Sequence, residues 1–278
     1  MQAANRSLSI RISTDGLSFC TYSPTNDQTP QYITYPVKPI ISMAANLKAA
    51  LQSVPVFRED FQRINVLISS PHFTTLPTSE FKREQAAEIY RFVFPHQENC
   101  HVSYNILKRS GMAILFGVNK NIHQMLLDEY PRARFYASAS TLIEYLGEQS
   151  LGGKGKRMYV YLHEQHLANA NGLLPREMSV YCFDQGRILF ANTYPIRTTS
   201  DCQYYILAVW KQLDLDVLND SLHIVDDGST CQDLMQSIRP YIQHVLSVEY
   251  HEETKPMSGN THRRTLPYDL HTLLCCGF

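Results

Sequence analysis

The chain has 278 residues, 25 Lys and Arg against 26 Asp and Glu, a net charge of −1, and 44% apolar and 18% charged residues. That length supplies core for one large or two modest domains, and the even charge balance gives no signal for a nucleic-acid partner. The N-terminal MQAANRSLSIRI has no basic stretch followed by an apolar one, no apolar run approaches the roughly 18 residues of a membrane span, and the seven cysteines are odd in number without a Cys-x-x-Cys pair; the expectation is a cytoplasmic protein with reduced thiols.

Leu8 to Ser13, Leu-Ser-Ile-Arg-Ile-Ser, alternates as a half-buried strand does. Asp15-Gly16 follows as a hairpin signal, since both residues tolerate φ > 0. Leu17 to Tyr22 and Gln31 to Val37 read as the next two strands. Ser42 to Leu51 carries Ala44, Leu47 and Leu51 at helical spacing, and Ile64 to Ile68 is a short apolar run suited to a buried strand. The order is three strands, a helix, a strand. A helix is expected from Pro77-Thr-Ser-Glu80 to about Phe94, a hairpin from Val102 to Val118 turned at Ser110-Gly111, a helix over Asn119 to Tyr130, a strand at Ala133 to Tyr136 and a helix from Ser140.

Three glycines and two lysines within Gln149 to Lys156 read as a solvated linker. They lack the Gly-x4-Gly-Lys-Ser/Thr spacing of a phosphate loop. Beyond it, Met158 to Leu162, Met178 to Phe183 and Arg187 to Tyr194 read as strands, with a turn at Asp184-Gln185-Gly186. Ser200 to Gln203 has a capping-box spacing ahead of the stripe Ile206, Val209, Trp210, Leu213. Leu222 to Val225 is again a short apolar strand, Ser229 to Arg239 a helix, Val245 to Val248 a strand and Tyr268 to Cys275 a closing helix. Three strands, a helix and a strand therefore occur twice. Thr34-Tyr35-Pro36-Val37 and Thr193-Tyr194-Pro195-Ile196 mark the repeat, 159 residues apart, and the same offset sets Leu47 on Ile206 and Leu51 on Trp210. The expected plan is an internal duplication: a first domain over 1–149 with an inserted helix-hairpin segment, a linker at 150–156 and a second domain over 157–278.

Two copies of this element order, together with the strand-to-helix stretch GMAILFGVNKNIHQML and the ending LPYDLHTLLCC, resemble the actin-like ATPase superfamily. Within it the chain is most similar to pilus-assembly and secretion proteins and to a bacterial domain-of-unknown-function family. The resemblance implies an α/β class, a duplicated actin-like ATPase (ribonuclease H-like) fold of two mixed β-sheet domains flanked by helices. In that superfamily two hairpins, each holding an acidic residue and small residues, bind phosphates, and a Gly-Gly turn lies against the adenosine.

The residues that would form such a site depart from the pattern. An Asp-x-Gly-Thr would begin near Arg11 to Ser13, where no residue is acidic; Asp15 and Gly16 follow, read first as a hairpin turn chosen for its backbone angles and second as a vestige of the pattern. After Met158 to Leu162 the one nearby acid is Glu164, in His163-Glu-Gln-His166, and Asp184-Gln-Gly186 falls at the wrong turn. Asp227, Gly228 and Ser229 lie between a strand end and a helix start, a generic anion or ribose position, but with one glycine and two neighbouring carboxylates. His163 and His166 have the wrong spacing for His-Glu-x-x-His, and no metal site is expected. Cys275-Cys276 reads as packing. Asp15, Gly16, Glu164, Asp227, Gly228 and Ser229 are the candidate cleft residues, with no catalytic residue among them. The expectation is a non-catalytic scaffold or partner-binding module with a protein partner, a degenerate nucleotide cleft and no cofactor. The alternative is an ATP-binding protein or weak ATPase using Mg-ATP in an altered interdomain cleft.

Overall fold

Alternating apolar residues in the first strands seed two mixed sheets. The computed structural model describes residues 6–14, 16–23, 30–163, 176–226, 230–249, 255–256 and 266–276. The chain divides into two units, one of Met1–Leu107, Gly111–Ser140 and Glu252–Leu266, the other of Lys108–Ser110, Thr141–His251 and Pro267–Phe278.

In the first unit β1 (Ser7–Ser13), β2 (Gly16–Tyr22) and β3 (Gln31–Tyr35) form an antiparallel meander. The chain then crosses through α1 (Met43–Ser53) and returns as β4 (Arg63–Ser69), parallel to β1. Ser42 caps α1 by accepting from the Ala45 N–H. A parallel pair cannot be joined by a tight turn, so a crossover of this kind is obligatory. Two further strands complete the sheet: β8 (Arg134–Ala137), parallel to β4 and followed by α4 (Ser138–Gln149), and the two-residue β14 (Lys255–Pro256), parallel to β3. The order is β14-β3-β2-β1-β4-β8. Leu8, Ile10 and Ile12 alternate with Ser9, Arg11 and Ser13, and all six are buried. The half-buried reading of this strand is thereby corrected: both faces of β1 are covered, as befits a central strand with a parallel neighbour.

A smaller sheet, β5-β7-β6, is made by β5 (Phe73–Pro77), β6 (Cys100–Leu107) and β7 (Met112–Asn119). The β6–β7 turn holds Gly111 at φ +65°, as the Ser110-Gly111 signal requires. The helix expected from Pro77 is shorter: α2 spans Ala86–Val93, and Phe73 to Pro77 is a strand paired with β7. Beneath α2, a Cβ on Gly117 would lie 2.6 Å from the Tyr90 hydroxyl, so β7 is held to glycine there by close approach. Asn119 caps α3 (Lys120–Glu129) through bonds from Asn121 and Ile122 N–H. Asn105 of β6 acts as a substitute strand for the edge of β8. Its amide donates to Phe135 O at 2.9 Å and accepts from Ala137 N at 3.0 Å and from Ser140 Oγ at 2.8 Å.

In the second unit β9 (Arg157–Leu162), β10 (Arg176–Asp184) and β11 (Arg187–Ile196) form the antiparallel part, turned through Gln185 and Gly186 at φ 48° and 81°. The chain crosses through α5 (Thr199–Gln212) to β12 (Ser221–Asp226), parallel to β9, then through α6 (Thr230–Ile238) to β13 (His244–Glu249), parallel to β12. The order is β11-β10-β9-β12-β13. Position by position, its strand order and directions match β3-β2-β1-β4-β8. The capping box of α5 sits two residues before the expected one: Thr198 Oγ1 accepts from Asp201 N, and the Asp201 carboxylate accepts from Thr198 N at 2.9 Å and Arg197 N at 2.8 Å. Met158, Val160, Met178, Val180, Leu222 and Ile224 pack with Ile206, Trp210 and Leu234 as the core of this unit. The opposite face carries Tyr159, Tyr161, Tyr181 and Phe183, over which α7 (Tyr268–Cys276) lays Tyr268, 5.7 Å from the Tyr161 ring.

Asn105→Ala removes these three hydrogen bonds at once, along with one from its Nδ2 to Tyr104 O. Three modest bonds at a half-buried site contribute about 1–3 kcal/mol net, so urea unfolding of this variant is expected to show a loss in that range, and Asn105→Asp a partial one.

Candidate functional site

Ligands of open α/β sheets gather outside the carboxyl ends of the parallel strands, so the ends of β1 and β4 in the first unit, and of β9 and β12 in the second, are where function is sought.

At the first of these, Ser13 of β1 lies in register with Ser69 of β4 and with Gly16 of β2. Arg11, 4% exposed, reaches along β1 to this end. Its Nη1 donates to Ser13 Oγ at 3.0 Å and its Nη2 to Ser69 Oγ at 3.2 Å, while Ser13 Oγ donates to Gly16 O at 3.1 Å. Ser9 and Ser18 share this face of the sheet and are buried with it. Guanidinium and hydroxyls thus occupy the strand end where an acidic residue was sought. Gly16 opens β2, and a Cβ placed on it would meet Val37 Cγ2 at 3.7 Å, an ordinary contact. Among the described residues nothing at this position demands glycine. Asp15 lies outside the described residues.

At the end of β9, His163 N donates to Glu177 O at 2.9 Å and its Nε2 lies 2.7 Å from Ser179 Oγ, which is also 2.8 Å from Thr193 Oγ1. A serine bonded to a histidine has the form of an activated nucleophile. Ser179, however, is 2% exposed with its hydroxyl shared with Thr193, so no substrate carbonyl can reach it. Burial raises the Tyr181 phenol beyond its ordinary range; the Ser179 hydrogen bond works against this, and the nearby charge of Asp269 adds to it. Asp269 is itself fully buried, its carbonyl accepting from Thr141 Oγ1 and Thr272 Oγ1. On β12 burial drives His223 down to about 4, with the Arg157 charge adding to the effect, and Ser221 Oγ lies 2.9 Å from its Nε2. The carboxyl end of β9 is thus packed with polar and aromatic groups, whereas Ser221 and His223 lie in the amino-terminal half of β12, in register with Arg157 and Tyr159.

Glu164 follows His163 outside the described residues, as do Asp227, Gly228 and Ser229, which fall between the end of β12 and the start of α6. Of the six candidates, the structure therefore describes Gly16 alone. Among the described residues no group of three or more His, Cys, Asp or Glu side chains is placed to hold a metal ion. No described helix is long and apolar enough to cross a membrane. The seven cysteines are free thiols, with Cys275 exposed and Cys276 pushed up to about 12 by burial, helped by the neighbouring Cys275. The residues that sequence reading passed over are Ser9, Arg11, Ser13, Ser18 and Ser69. Their signal was the alternation itself, polar at every odd position of β1.

Residues 1–245 match the model of a family described as a protein of unknown function, DUF3822. The chain belongs to this family. It is 32% identical, over 99% of its own length and 97% of the other's, to a Bacteroides thetaiotaomicron protein with an actin-like ATPase fold and unknown function, with a TM-score of 0.82. The fold of this chain is the actin-like ATPase fold, as the resemblance of its sequence implied. More distant likenesses include a PilM-PilN type IV pilus biogenesis complex at 10% identity, 87% and 88% coverage and TM-score 0.47. Another is the AlfA filament bound to AMPPNP, at 12% identity, 98% and 96% coverage and TM-score 0.44. No curated protein matches the chain.

Arg11→Met keeps the length of the side chain and removes its donors. Hydrogen bonds from a charged group contribute about 1.5–3 kcal/mol each. The expected loss in urea unfolding is about 3 kcal/mol or more, and Arg11→Lys, which cannot span two hydroxyls as a fork, is expected to recover less than half of it.

Proposed function

We propose that this protein is a non-catalytic scaffold or partner-binding module, built on an internally duplicated actin-like fold whose nucleotide site has degenerated. The observation that carries the reading is the buried Arg11 guanidinium at the carboxyl end of β1, held by Ser13 and Ser69. Nucleotide hydrolysis on this fold calls for a carboxylate there to hold Mg²⁺ or orient water.

Duplication is supported by the matching strand order and directions of the two five-strand arrangements. Tyr35 pairs with Leu17 and Leu17 with Ile12; Tyr194 pairs with Met178 and Met178 with Leu162. Both rows run to the carboxyl-terminal end of a first strand, with residues 150–156 as the join between the copies. The working partner in this reading is another protein, and the compartment is the cytoplasm, where seven free thiols persist.

The second reading, an ATP-binding protein or weak ATPase, is favoured by one feature: Asp227, Gly228 and Ser229 fall between the end of β12 and the first residue of α6, where backbone N–H groups favour anions. Isothermal calorimetry with millimolar Mg-ATP separates the two. The scaffold reading expects no heat of binding and no phosphate release. A micromolar dissociation constant that Gly228→Trp abolishes would replace it with the second.

A further inference from the structure

The polar face of the first sheet holds three side-chain atoms that the Arg11 cluster does not use. Among the described residues Ser9 Oγ, Ser18 Oγ and Asn65 Oδ1 are buried without a hydrogen-bond partner, in residues 1%, 3% and 9% exposed. A hydroxyl or amide oxygen left unpaired in the interior is costly, and folded proteins commonly meet such groups with ordered water. Register brings the three together. Ser9 of β1 lies beside Asn65 of β4, and Ser18 of β2 lies opposite Arg11, the next residue of β1 on the same face. They form a diagonal across three adjacent strands, with Ser9 in the middle. Ser9 also faces Cys20 of β2. Small side chains at 9, 18 and 20 leave space above this face, where Leu8, Ile10 and Ile12 fill the other.

We infer that two internal water molecules are bound on this face, one bridging Ser9 to Asn65 and the other bridging Ser9 to Ser18. Their number comes from the spacing. Neighbouring strands lie about 4.8 Å apart, so β2 and β4, on either side of β1, are roughly 10 Å apart. Ser18 and Asn65 are also one row of residues out of line, and a single water reaching about 2.8 Å to each partner cannot meet both. Two waters that share Ser9 meet all three atoms. Each then has two protein partners, the least that an internal water ordinarily makes. The chemistry of the three atoms selects water over an ion. Asn65 Oδ1 can only accept, so its ligand must donate, while the Ser9 hydroxyl donates to one neighbour and accepts from the other. An anion, which only accepts, would leave Asn65 Oδ1 unmet. The inference is independent of whether the Arg11 end binds a nucleotide, since it rests on other atoms.

A high-resolution crystal structure of the full chain tests it directly: two density peaks are expected, each within about 3.2 Å of its two side-chain atoms. Magnetic relaxation dispersion of the water signal tests it in solution, because it counts internal waters that exchange more slowly than the protein tumbles. Ser9→Val removes the shared hydroxyl and fills its surroundings, and is expected to lower that count by two relative to the unaltered chain. Ser18→Ala leaves one water with a single partner and is expected to lower the count by one. If Ser9→Val fails to fold, Ser18→Ala decides the solution test. Three outcomes overturn the inference: no peaks, with Ser9, Ser18 and Asn65 bonded to other residues of the chain; a single peak of anion density in place of two waters; or a count that the folded variant leaves unchanged.

Discussion

The parallel pairing of β1 with β4, and of β9 with β12, is the constraint on which the rest of each unit depends. A parallel neighbour must be reached by a crossover, and the crossover helix must cover the sheet it leaves. In the first unit α1 makes that passage; in the second α5 does, and it brings Ile206, Val209 and Trp210 onto the apolar face of β9 and β12. The central strands are buried on both faces, the second face of β9 lying beneath Tyr268 of α7. Polar residues on their second face, which on a free hairpin would be solvated, must then find partners inside the protein.

Arg11 is the consequence of that burial with the greatest bearing on function. A guanidinium in the interior is tolerated where its donors are met, and the serines at the ends of β1 and β4 supply acceptors at 3.0 and 3.2 Å. The same end of the corresponding strand in the second unit is closed by a different device, a chain of His163, Ser179 and Thr193 beside buried tyrosines. At both strand ends the described polar side chains bond to one another. This is why a fold associated with nucleotide chemistry is proposed here to serve binding alone.

Much of the architecture was legible because its signals are local. The Ser110-Gly111 turn, the Asp184-Gln185-Gly186 turn and the Asn119 start of α3 each rest on the conformational preference of one or two residues. What escaped was decided at a distance. Phe73 to Pro77 holds strand-favouring Phe73, Thr74 and Thr75 but is short and ends in proline, and it becomes β5 through its pairing with β7. The capping boxes of Thr198 and Ser200 have equal spacing, and the earlier one wins because the Asp201 carboxylate, a stronger acceptor than the Gln203 amide, reaches two backbone N–H groups. The pattern of β1 gave its alternation faithfully but not the covering of its polar face, which depends on elements far along the chain. The candidate site was legible only as departures from a pattern, with Gly16 the one candidate in the described structure and Arg11 noticed only as a residue that is not acidic.

Ligand-linked stability addresses the central claim most directly, since anything bound by the folded state alone raises its unfolding temperature. The midpoint of thermal unfolding is followed in about 5 mM ATP with excess Mg²⁺, and again with the metal removed by EDTA; a site occupied at 100 times its dissociation constant adds about 2.7 kcal/mol, several degrees for a chain of this size. The proposed scaffold reading, with Arg11 buried at the end of β1, predicts the same midpoint in both and in buffer alone. A rise of several degrees that appears with Mg-ATP and vanishes with EDTA would contradict it.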